Sequence, residues 1–495
     1  MKMNAIKTTI GRALAASCLL AFSFHVHGET WQNTDPGGGL WHTPANWSPK
    51  VPTSAASAYI DNGGLAILSG SDGVTAHLYI GLNSTNNRLE IAGVKLVARN
   101  VHLGENADSE GALHLKAGAE LEMSGELLLG SSGDGWLTID SGATLKSTST
   151  STSQRLANIA GTHAGATVRG IWELSTGRLD IGFRGSGTLT IGAGGLVDVG
   201  SAGAMVMGEQ SSSTSFGTLN IGGAVVNGVA TTAEAAGLIN AANVRGGSVS
   251  GSGGTATINF NHTSQRHEFT NSDDEAIDLI GNTRMTVNLY SGTTVLAGNN
   301  TYKGGTQIYG GTLLANHEGA GSSTGTAAVT VHEDGTLGGI GFIDGTTTVQ
   351  GTLAPGDGEE GHGILKFRGN LSLGATSKTI IRVSGTERGT EYDAFSVAGT
   401  LTLGGTLKVR LEEGFTFDGS ESVLLTIFDA GSLSGPFDQL DLQESFNGTA
   451  LQWDASNLYE NGTLGVAAIP EPQTVVLLTG AVGMLLLNRR KIFPA

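Results

Sequence analysis

Carboxylate groups are the side chains in this sequence that could carry out chemistry, and the densest group of them is Asp273, Asp274 and Glu275. Neighbouring carboxylates can bind Ca²⁺, but a calcium loop also needs oxygen ligands at fixed spacings along the chain. No such set of spaced ligands follows Glu275. The sequence therefore favours a solvated acidic turn here, and it predicts no metal site and no cofactor.

Imidazole groups are the second candidates, because His102, His114 and His163 recur at loosely regular spacings. Isolated histidines on strands are more often surface residues than metal ligands or catalytic bases. The chain also lacks a serine-nucleophile elbow, a zinc-protease helix motif, a phosphate loop and a dinucleotide glycine motif in a suitable strand–helix context. No catalytic residue is predicted.

Short apolar runs that end in glycine are the elements that would position these side chains. Between about residues 78 and 228 the chain repeats a unit of about 26 residues, which reads LxIG, a polar loop, GxLxI and then GAxL. The glycines that end successive copies are Gly81, Gly104, Gly130, Gly182 and Gly208. A degenerate copy is expected near residues 158–161, where the spacing doubles.

The alternation inside each run predicts the fold. Apolar residues two positions apart lie on the same side of a strand. A single strand cannot bury that side alone, whereas coils stacked at ~4.8 Å bury it continuously. Glycine allows the tight bends between strands because it adopts positive φ at low cost. The sequence therefore predicts an all-β chain that forms a parallel β-helix of roughly 16–20 coils.

The composition agrees with a solenoid and argues against other classes. The 495 residues include 78 glycines but only 9 prolines, without the three-residue period of collagen. Long helices are not expected, because glycine costs roughly 1 kcal/mol per helical site relative to alanine. The net charge of −17 disfavours nucleic acid as a partner. The single cysteine, Cys18, lies in the N-terminal segment, so the mature chain is expected to lack disulfides.

Residues 1–28 have the pattern of a secretory signal peptide. A positively charged start is followed by an apolar core at residues 13–24 and by a small-residue site, so cleavage is expected between Gly28 and Glu29. Lipid attachment at Cys18 is one alternative for this segment, and a membrane anchor is another. The apolar run is short for an anchor, because the hydrocarbon core of a bilayer is ~30 Å thick.

Residues 29–61 differ from the repeats because they contain Trp31, Trp41 and Trp47 among several prolines. A solenoid end exposes strand edges and core, and bulky aromatic residues can cover them. The segment is therefore predicted to be an N-terminal cap, with an aromatic carbohydrate platform as the alternative. Residues 41–47 also resemble the WxxxxNW opening of secreted bacterial repeat proteins of the autotransporter-passenger type.

After the β-helix repeats of residues 62–294, residues 295–404 carry a second type of repeat. The segment 296–314 resembles the autotransporter-associated β-strand repeat. The matching residues are Gly298, Asn300, Thr301, Tyr302, Gly304, Gly305, Thr306, Ile308, Gly310, Gly311, Thr312 and Leu313. The resemblance implies a β-helical, passenger-like segment and implies no catalytic chemistry. Residues 405–465, with longer apolar runs and several phenylalanines, are predicted to form a C-terminal β cap.

The last segment, residues 466–495, combines three features in a fixed order. Its sorting motif consists of Pro470, Glu471 and Pro472. The apolar stretch that follows, at residues 474–487, predicts a short transmembrane helix. The basic stop after it consists of Arg489, Arg490 and Lys491. About 14 apolar residues give ~21 Å of helix, which is short of the ~30 Å hydrocarbon core. Basic side chains at such an end can reach the membrane surface.

This tail resembles the PEP-CTERM sorting signal of Gram-negative bacteria. The resemblance implies an exosortase-type processing enzyme as a partner, and an inner-membrane intermediate that is released to the envelope surface or the extracellular matrix. Contact with the membrane would occur only through the tail before processing. Exopolysaccharide is a further expected partner, and a plain C-terminal membrane anchor is the alternative interpretation.

Two functions stay open at this point. The first is a structural or adhesive surface protein, not an enzyme, that is associated with polysaccharide or a biofilm matrix. The second is a surface polysaccharide-active enzyme, a lyase or a glycosidase, because solenoid active sites are assembled across coils and leave little local trace. Paired carboxylates ~5–10 Å apart in a groove would favour the enzyme.

Overall fold

The computed structural model describes residues 28–151, 154–210, 214–246, 254–282, 284–358, 361–417 and 422–469. Within them the chain winds into a parallel β-solenoid of about 14 turns. The prediction of an all-β parallel β-helix is confirmed. The turns are fewer than the roughly 16–20 expected, because loops and antiparallel strands take up part of the chain.

Three sheet faces form the N-terminal part of the solenoid. The first face contains Gly28–Trp31, Ser57–Ile60, His77–Ile80, Asn100–Leu103, Leu127–Leu129, Gln154–Leu156, Arg178–Ile181, Ala204–Met207, Asn243–Gly246 and Asp278–Gly281, with Trp47–Ser48 antiparallel at one edge. The second face contains Gly39–Leu40, Leu65–Ser69, Asn87–Ala92, Glu110–Leu115, Asp134–Ile139, His163–Val168, Ser186–Ile191, Phe216–Gly222, Thr255–Asn261 and Met285–Ser291. The third face contains Gly73–Val74, Lys95–Ala98, Glu120–Met123, Thr144–Ser147, Ile171–Leu174, Leu196–Asp198 and Leu238–Asn240.

Towards the C-terminus, longer strands bend around a corner of the solenoid. The first half of Thr306–Ala315 pairs with Met285–Ser291 and its second half pairs with Thr293–Leu296. The remaining solenoid strands are His267–Glu268, Thr293–Leu296, Thr306–Ala315, Val329–Gly339, Phe342–Ile343, Thr347–Val349, Thr352–Pro355, Ile364–Phe367, Leu371–Leu373, Lys378–Val383, Ala394–Thr402, Thr406–Leu411, Phe428–Ser434 and Gln439–Leu442.

Antiparallel pairs and short helices lie outside this winding. An antiparallel hairpin pairs Val225–Val226 with Val229–Ala230. Near the C-terminus a four-stranded antiparallel sheet contains Val423–Thr426, Thr463–Ala468, Thr449–Asp454 and Ser445–Phe446. The described helices are a 3₁₀ turn at Pro44–Asn46 and an α-helix at Leu458–Asn461.

The core is a set of apolar stacks that run along the solenoid axis. On the first face Ile80, Leu103, Leu129 and Leu156 pair in register on successive turns, and all four are fully buried. Burying apolar side chains of this size contributes roughly 1.5–3 kcal/mol each. The LxI alternation therefore predicts the inward side chains correctly.

The glycine that ends each LxIG run lies at a corner where two turns approach closely. Gly104 has φ +62°, and a β-carbon there would lie 2.2 Å from the carbonyl oxygen of Asp134 on the next turn. An alanine at such a corner would clash with main-chain atoms that cannot rotate away. The repeat of glycine at this position therefore has a steric cause in addition to its φ.

The degenerate copy lies at Gln154–Leu156 and Ala157, so the predicted position at residues 158–161 is wrong. Gln154 pairs in register with Leu127, and Ala157 takes the corner position with φ 56°. The Gln154 side chain is buried, and its amide nitrogen Nε2 donates to the carbonyl oxygen of Gly125 at 3.1 Å. The apolar residue and the glycine are both replaced, so the pattern was not visible in the sequence.

The three tryptophans of residues 29–61 lie inside the first turn. Trp31 and Trp41 pack edge-to-face on Trp47 with ring centroids 5.0 and 4.7 Å apart, and the three side chains are at most 4% exposed. Their ring faces are therefore closed to a sugar, which excludes the predicted alternative of a carbohydrate platform at these residues. The cap assignment itself stays a prediction.

Candidate functional site

A line of threonines runs along the outside of the second face. Thr188, Thr218, Thr257 and Thr286 pair in register on four successive turns, and each is half-buried. Within the described part of the chain their hydroxyl groups make no hydrogen bond to protein. We call these four residues the threonine column. It presents one hydroxyl group per turn at a spacing of ~4.8 Å.

A second line of polar side chains lies two residues further along the same strands. We call it the amide column; it consists of Thr190, Asn220, Asn259 and Asn288. Asn220 Nδ2 donates to Thr190 Oγ1 at 3.0 Å, Asn259 Nδ2 donates to Asn220 Oδ1 at 2.9 Å, and Asn288 Nδ2 donates to Asn259 Oδ1 at 2.9 Å. Each amide thus orients the next one. Thr190, Asn220 and Asn259 are buried beneath their neighbours, so the amide column acts as a rigid support beside the threonine column.

An aromatic stack continues the second face towards the C-terminus. The rings of Tyr290 and Tyr309 are stacked with centroids 5.1 Å apart, and those of Tyr309 and His332 with centroids 4.5 Å apart. The Tyr290 hydroxyl donates to the carbonyl oxygen of Gly228 at 3.4 Å. Burial raises the pKa of Tyr290 above its ordinary value. The stack therefore adds aromatic surface to the same face, beyond the two polar columns.

The three histidines singled out in the sequence lie apart from one another. His102 Nδ1 is 2.9 Å from Glu105 Oε2, His114 Nε2 is 2.8 Å from Asp140 Oδ2, and His163 Nδ1 is 3.4 Å from Asp134 Oδ1. Burial acts to raise the pKa of Glu105, but the hydrogen bond and the charge of His102, together with a hydrogen bond from Ser131, outweigh burial and lower that pKa. Each histidine pairs with its own carboxylate, and the three do not converge on a site.

The acidic group Asp273, Asp274 and Glu275 forms an exposed turn, as the sequence favoured. Asp273 N and Glu275 N both donate to Asn271 Oδ1, at 2.9 and 3.0 Å. Across the ranges that the structure describes, no group of three or more histidine, cysteine or acidic side chains is arranged to hold a metal ion.

The repeat-motif residues 298–313 have positions inside the solenoid and at its corners. Asn300 is buried, its Oδ1 accepts from Leu279 N at 2.7 Å and its Nδ2 donates to Ser323 O at 2.6 Å. Tyr302 is fully buried and shares a hydrogen bond with Thr306 Oγ1; burial raises its pKa. Asn300 therefore ties three successive turns together, which is a structural role.

The other motif residues are placed by backbone geometry. Gly305 and Gly311 have positive φ, and a β-carbon at Gly304 would lie 2.2 Å from the carbonyl oxygen of Met285. The remaining positions divide between the buried Gly298, Ile308, Gly310 and Leu313, the half-buried Thr312 and the exposed Thr301. The structure brings Asn300, Tyr302 and Thr306 close together and spreads the rest along the strand and its preceding loop.

Of the predicted processing sites, the structure describes only the N-terminal one. Gly28 begins the first strand, and Glu29 is buried, where its Oε2 accepts from Lys50 N at 3.2 Å. Pro470, Glu471, Pro472 and the basic stop Arg489, Arg490 and Lys491 lie outside the described residues. Among the residues that are described, no helix has the length and apolar character needed to cross a bilayer.

One constellation that sequence reasoning missed joins His362, Ser384 and Asp393. His362 Nδ1 is 3.2 Å from Asp393 Oδ1, and Ser384 Oγ is 2.9 Å from His362 Nε2. This is the connectivity of a serine–histidine–aspartate triad. The three residues are 22 and 9 positions apart and fit no motif (384 − 362 and 393 − 384), so only the fold could reveal it.

Two further contacts give this constellation a structural role. Arg382 Nε donates to Asp393 Oδ2 at 2.8 Å, so the carboxylate already has a cationic partner. Ser384 Oγ also donates to the carbonyl oxygen of Glu391 at 2.9 Å, so the single hydroxyl hydrogen is directed away from the imidazole. Burial raises the pKa of Asp393, against the opposing effect of Arg382. These hydrogen bonds connect the loop that contains His362 to Ser384 and Asp393 on either side of the following loop.

Two clefts in the described part of the chain do not have the lining of a glycosidase. One of about 620 Å³ is lined by Arg266, Arg382 and neutral residues, and no described carboxylate lines it. In the other, of about 460 Å³, Asp180 and Glu209 both pair with Arg178. A glycosidase needs one carboxyl group to hold a proton and a second to act as base or nucleophile. Neither cleft supplies that pair of free groups.

No protein-family model matches the chain. In a comparison with curated proteins it is similar to the adhesin BmaC autotransporter of Brucella suis biovar 1 (strain 1330), with 31% identity over 176 residues. The similar region is 35% of this chain and spans 5% of the relative's length. Together with the β-solenoid fold, this distant similarity supports the predicted resemblance to autotransporter-type repeats.

Proposed function

We propose that this chain is an adhesive protein of the bacterial cell surface whose second face binds extracellular polysaccharide. The observation that carries the proposal is the threonine column, in which Thr188, Thr218, Thr257 and Thr286 present one hydroxyl group on each of four turns. A polymer laid along the solenoid axis would meet equivalent groups at regular intervals. Each contact is weak, but linked contacts raise the effective concentration of the next one.

The similarity to an autotransporter adhesin supports the adhesive part of this function. A passenger-type solenoid of a Gram-negative bacterium would work outside the cell, by its length and by its exposed faces. At ~4.8 Å per turn, about 14 turns give a rod of roughly 65 Å. The ion-paired clefts favour this non-enzymatic function over a lyase or glycosidase.

Affinity electrophoresis in gels that contain a polysaccharide tests the proposal. We expect neutral polysaccharides to retard the protein and the retardation to disappear when free polymer competes. An inert protein of similar charge gives the reference mobility. Release of soluble sugar fragments from the gel would instead identify an enzyme and would overturn the adhesive function.

Export and sorting are the second part of the proposal. The resemblance of residues 466–495 to a PEP-CTERM signal supports a route in which the tail holds the protein in the inner membrane until an exosortase-type enzyme cleaves near Pro470, Glu471 and Pro472. The basic stop would keep the end of the tail in the cytoplasm. The rod would then pass to the envelope surface or the surrounding matrix.

Replacing Pro470, Glu471 and Pro472 together by alanine should block this processing. Because the cleavage enzyme would no longer recognise its motif, we expect unprocessed protein in the inner membrane and a loss of most of the released form. Immunoblots of membrane and medium fractions measure both. The variant Gln473→Ala, which leaves the motif intact, is the matched control. Release of the triple variant at the wild-type level would contradict the sorting function.

A further inference from the structure

Trp136 is an exposed indole on the outer side of the second face. It lies on Asp134–Ile139 and is 41% exposed, whereas Trp31, Trp41 and Trp172 are at most 1% exposed. Burying an aromatic ring of this size is strongly favourable, so an indole held at the surface of a face with a buried core beneath it points to a binding role.

The indole is held in place by its neighbours on the turns before and after it. Its Nε1 donates to Glu110 Oε1 at 3.1 Å on the preceding turn. The Cε3–Cζ3 edge of its six-membered ring reaches Gly165 on the next turn, where a β-carbon would be 2.7 Å from both atoms. Glycine at position 165 therefore makes the space that the ring occupies. The ring is therefore held at this edge and at Nε1, while 41% of the residue stays exposed to solvent.

Polar groups flank this platform on both sides. Glu110 and Asp134 lie at the start of the strands, where Asp134 Oδ1 accepts from His163 N at 2.8 Å. Thr138 and Thr167 lie on the opposite side, in the line that continues as the amide column. Along the axis the neighbouring residue Ala112 is small, and the threonine column begins two turns beyond Trp136. A flat ligand could extend from the indole onto the threonines.

We infer that Trp136 is a stacking subsite for one pyranose ring of a neutral polysaccharide. This inference rests on the proposed function and names the class of its ligand. The C–H face of a pyranose is apolar and flat, so it can stack on the exposed surface of the indole, while its hydroxyl groups can donate to the carboxylates of Glu110 and Asp134. The same carboxylates, together with the net charge of −17, repel uronate and sulfate groups.

Binding of neutral hexose oligosaccharides and of an acidic polyuronate, measured by calorimetry on the whole chain, tests this subsite. We expect Trp136→Ala to weaken binding of the neutral oligosaccharides about tenfold or more, and Trp136→Phe to retain part of the affinity. Gly165→Val should also weaken binding, because the valine side chain displaces the ring. Phe216→Ala removes an aromatic residue that is 44% exposed on the same face, and it should change affinity less than about twofold.

The outcomes separate the subsite from the wider function. If the wild-type protein binds the neutral oligosaccharides and Trp136→Ala binds them with the same affinity, the subsite is overturned and the adhesive function stands. Failure of the wild-type protein to bind any neutral saccharide overturns both. Preference for the polyuronate overturns the assignment of a neutral ligand. Circular dichroism shows whether each variant is folded. A ligand-induced change in tryptophan fluorescence that is present in the wild-type protein and lost in Trp136→Ala supports direct stacking.

Discussion

Gly182→Ala is expected to destabilise the solenoid by more than about 4 kcal/mol, whereas Gly93→Ala should cost about 1 kcal/mol. Both glycines have nearly the same φ, +67° and +66°. A β-carbon at Gly182 would lie 1.9 Å from the carbonyl oxygen of Phe216 on the next turn, but nothing lies within 4 Å of one at Gly93. The pair therefore separates the steric demand of the corner from the cost of positive φ.

The comparison also removes effects of the unfolded chain. Replacing glycine by alanine restricts the unfolded state to the same extent at both sites, so this contribution cancels in the difference. Urea denaturation followed by far-UV circular dichroism measures the two free energies of unfolding. Equal losses at Gly182 and Gly93 would show that successive turns do not approach as closely as the fold requires.

Acidification from pH 7 to pH 5 is expected to weaken the fold through His262 and His267. Both rings are buried, at 0% and 8% exposure, and their centroids are 5.3 Å apart. Burial lowers the pKa of each ring from 6.5 to about 4, and for His262 the nearby His267 adds to the effect. His262 Nε2 hydrogen-bonds Thr294 Oγ1 at 2.8 Å, which fits a neutral ring.

The sign of the effect follows from proton binding. Below pH 6.5 the unfolded chain takes up protons that the folded chain excludes, so stability is complete above that pH and falls as the pH approaches 4. The expected loss is about 2 kcal/mol per ring at pH 5 and roughly 3 kcal/mol at pH 4. Urea midpoints measured at each pH report this loss.

A double variant, His262→Leu with His267→Leu, should remove most of the pH dependence between pH 5 and pH 7. The matched control is His163→Asn, because the His163 side chain is 63% exposed and its removal should leave the pH dependence as it is. A wild-type midpoint that does not change over this range would contradict the burial of the pair.

The sequence predicts the interior of this fold better than its outer faces. Alternation in runs such as residues 78–80 and 101–103 identifies the inward side chains, because burial selects apolar residues at every second position. The glycine that ends each of these runs also predicts the corner that follows the strand. The sequence pattern misplaces the copy at Gln154 and Ala157, where a buried hydrogen bond and a tolerated positive φ replace both signals.

The outer columns could not be predicted from local sequence, because they depend on register between turns. Thr188, Thr218, Thr257 and Thr286 are 30, 39 and 29 residues apart (218 − 188, 257 − 218, 286 − 257), so loops of different length separate members of one line. The contact between Trp136 and Gly165 has the same origin. Only the stacking of the strands brings these residues together.

Binding of neutral oligosaccharides of increasing length, measured by calorimetry, tests the central claim most directly. The threonine column spans about 14 Å from its first turn to its fourth, so affinity should rise with each added sugar until the ligand covers that span. Replacing its four threonines by valine should lower the final affinity more than about tenfold, whereas Thr144→Val on the third face should not. Affinity that is independent of ligand length, or unaffected by the four valines, would contradict a binding surface distributed along the solenoid.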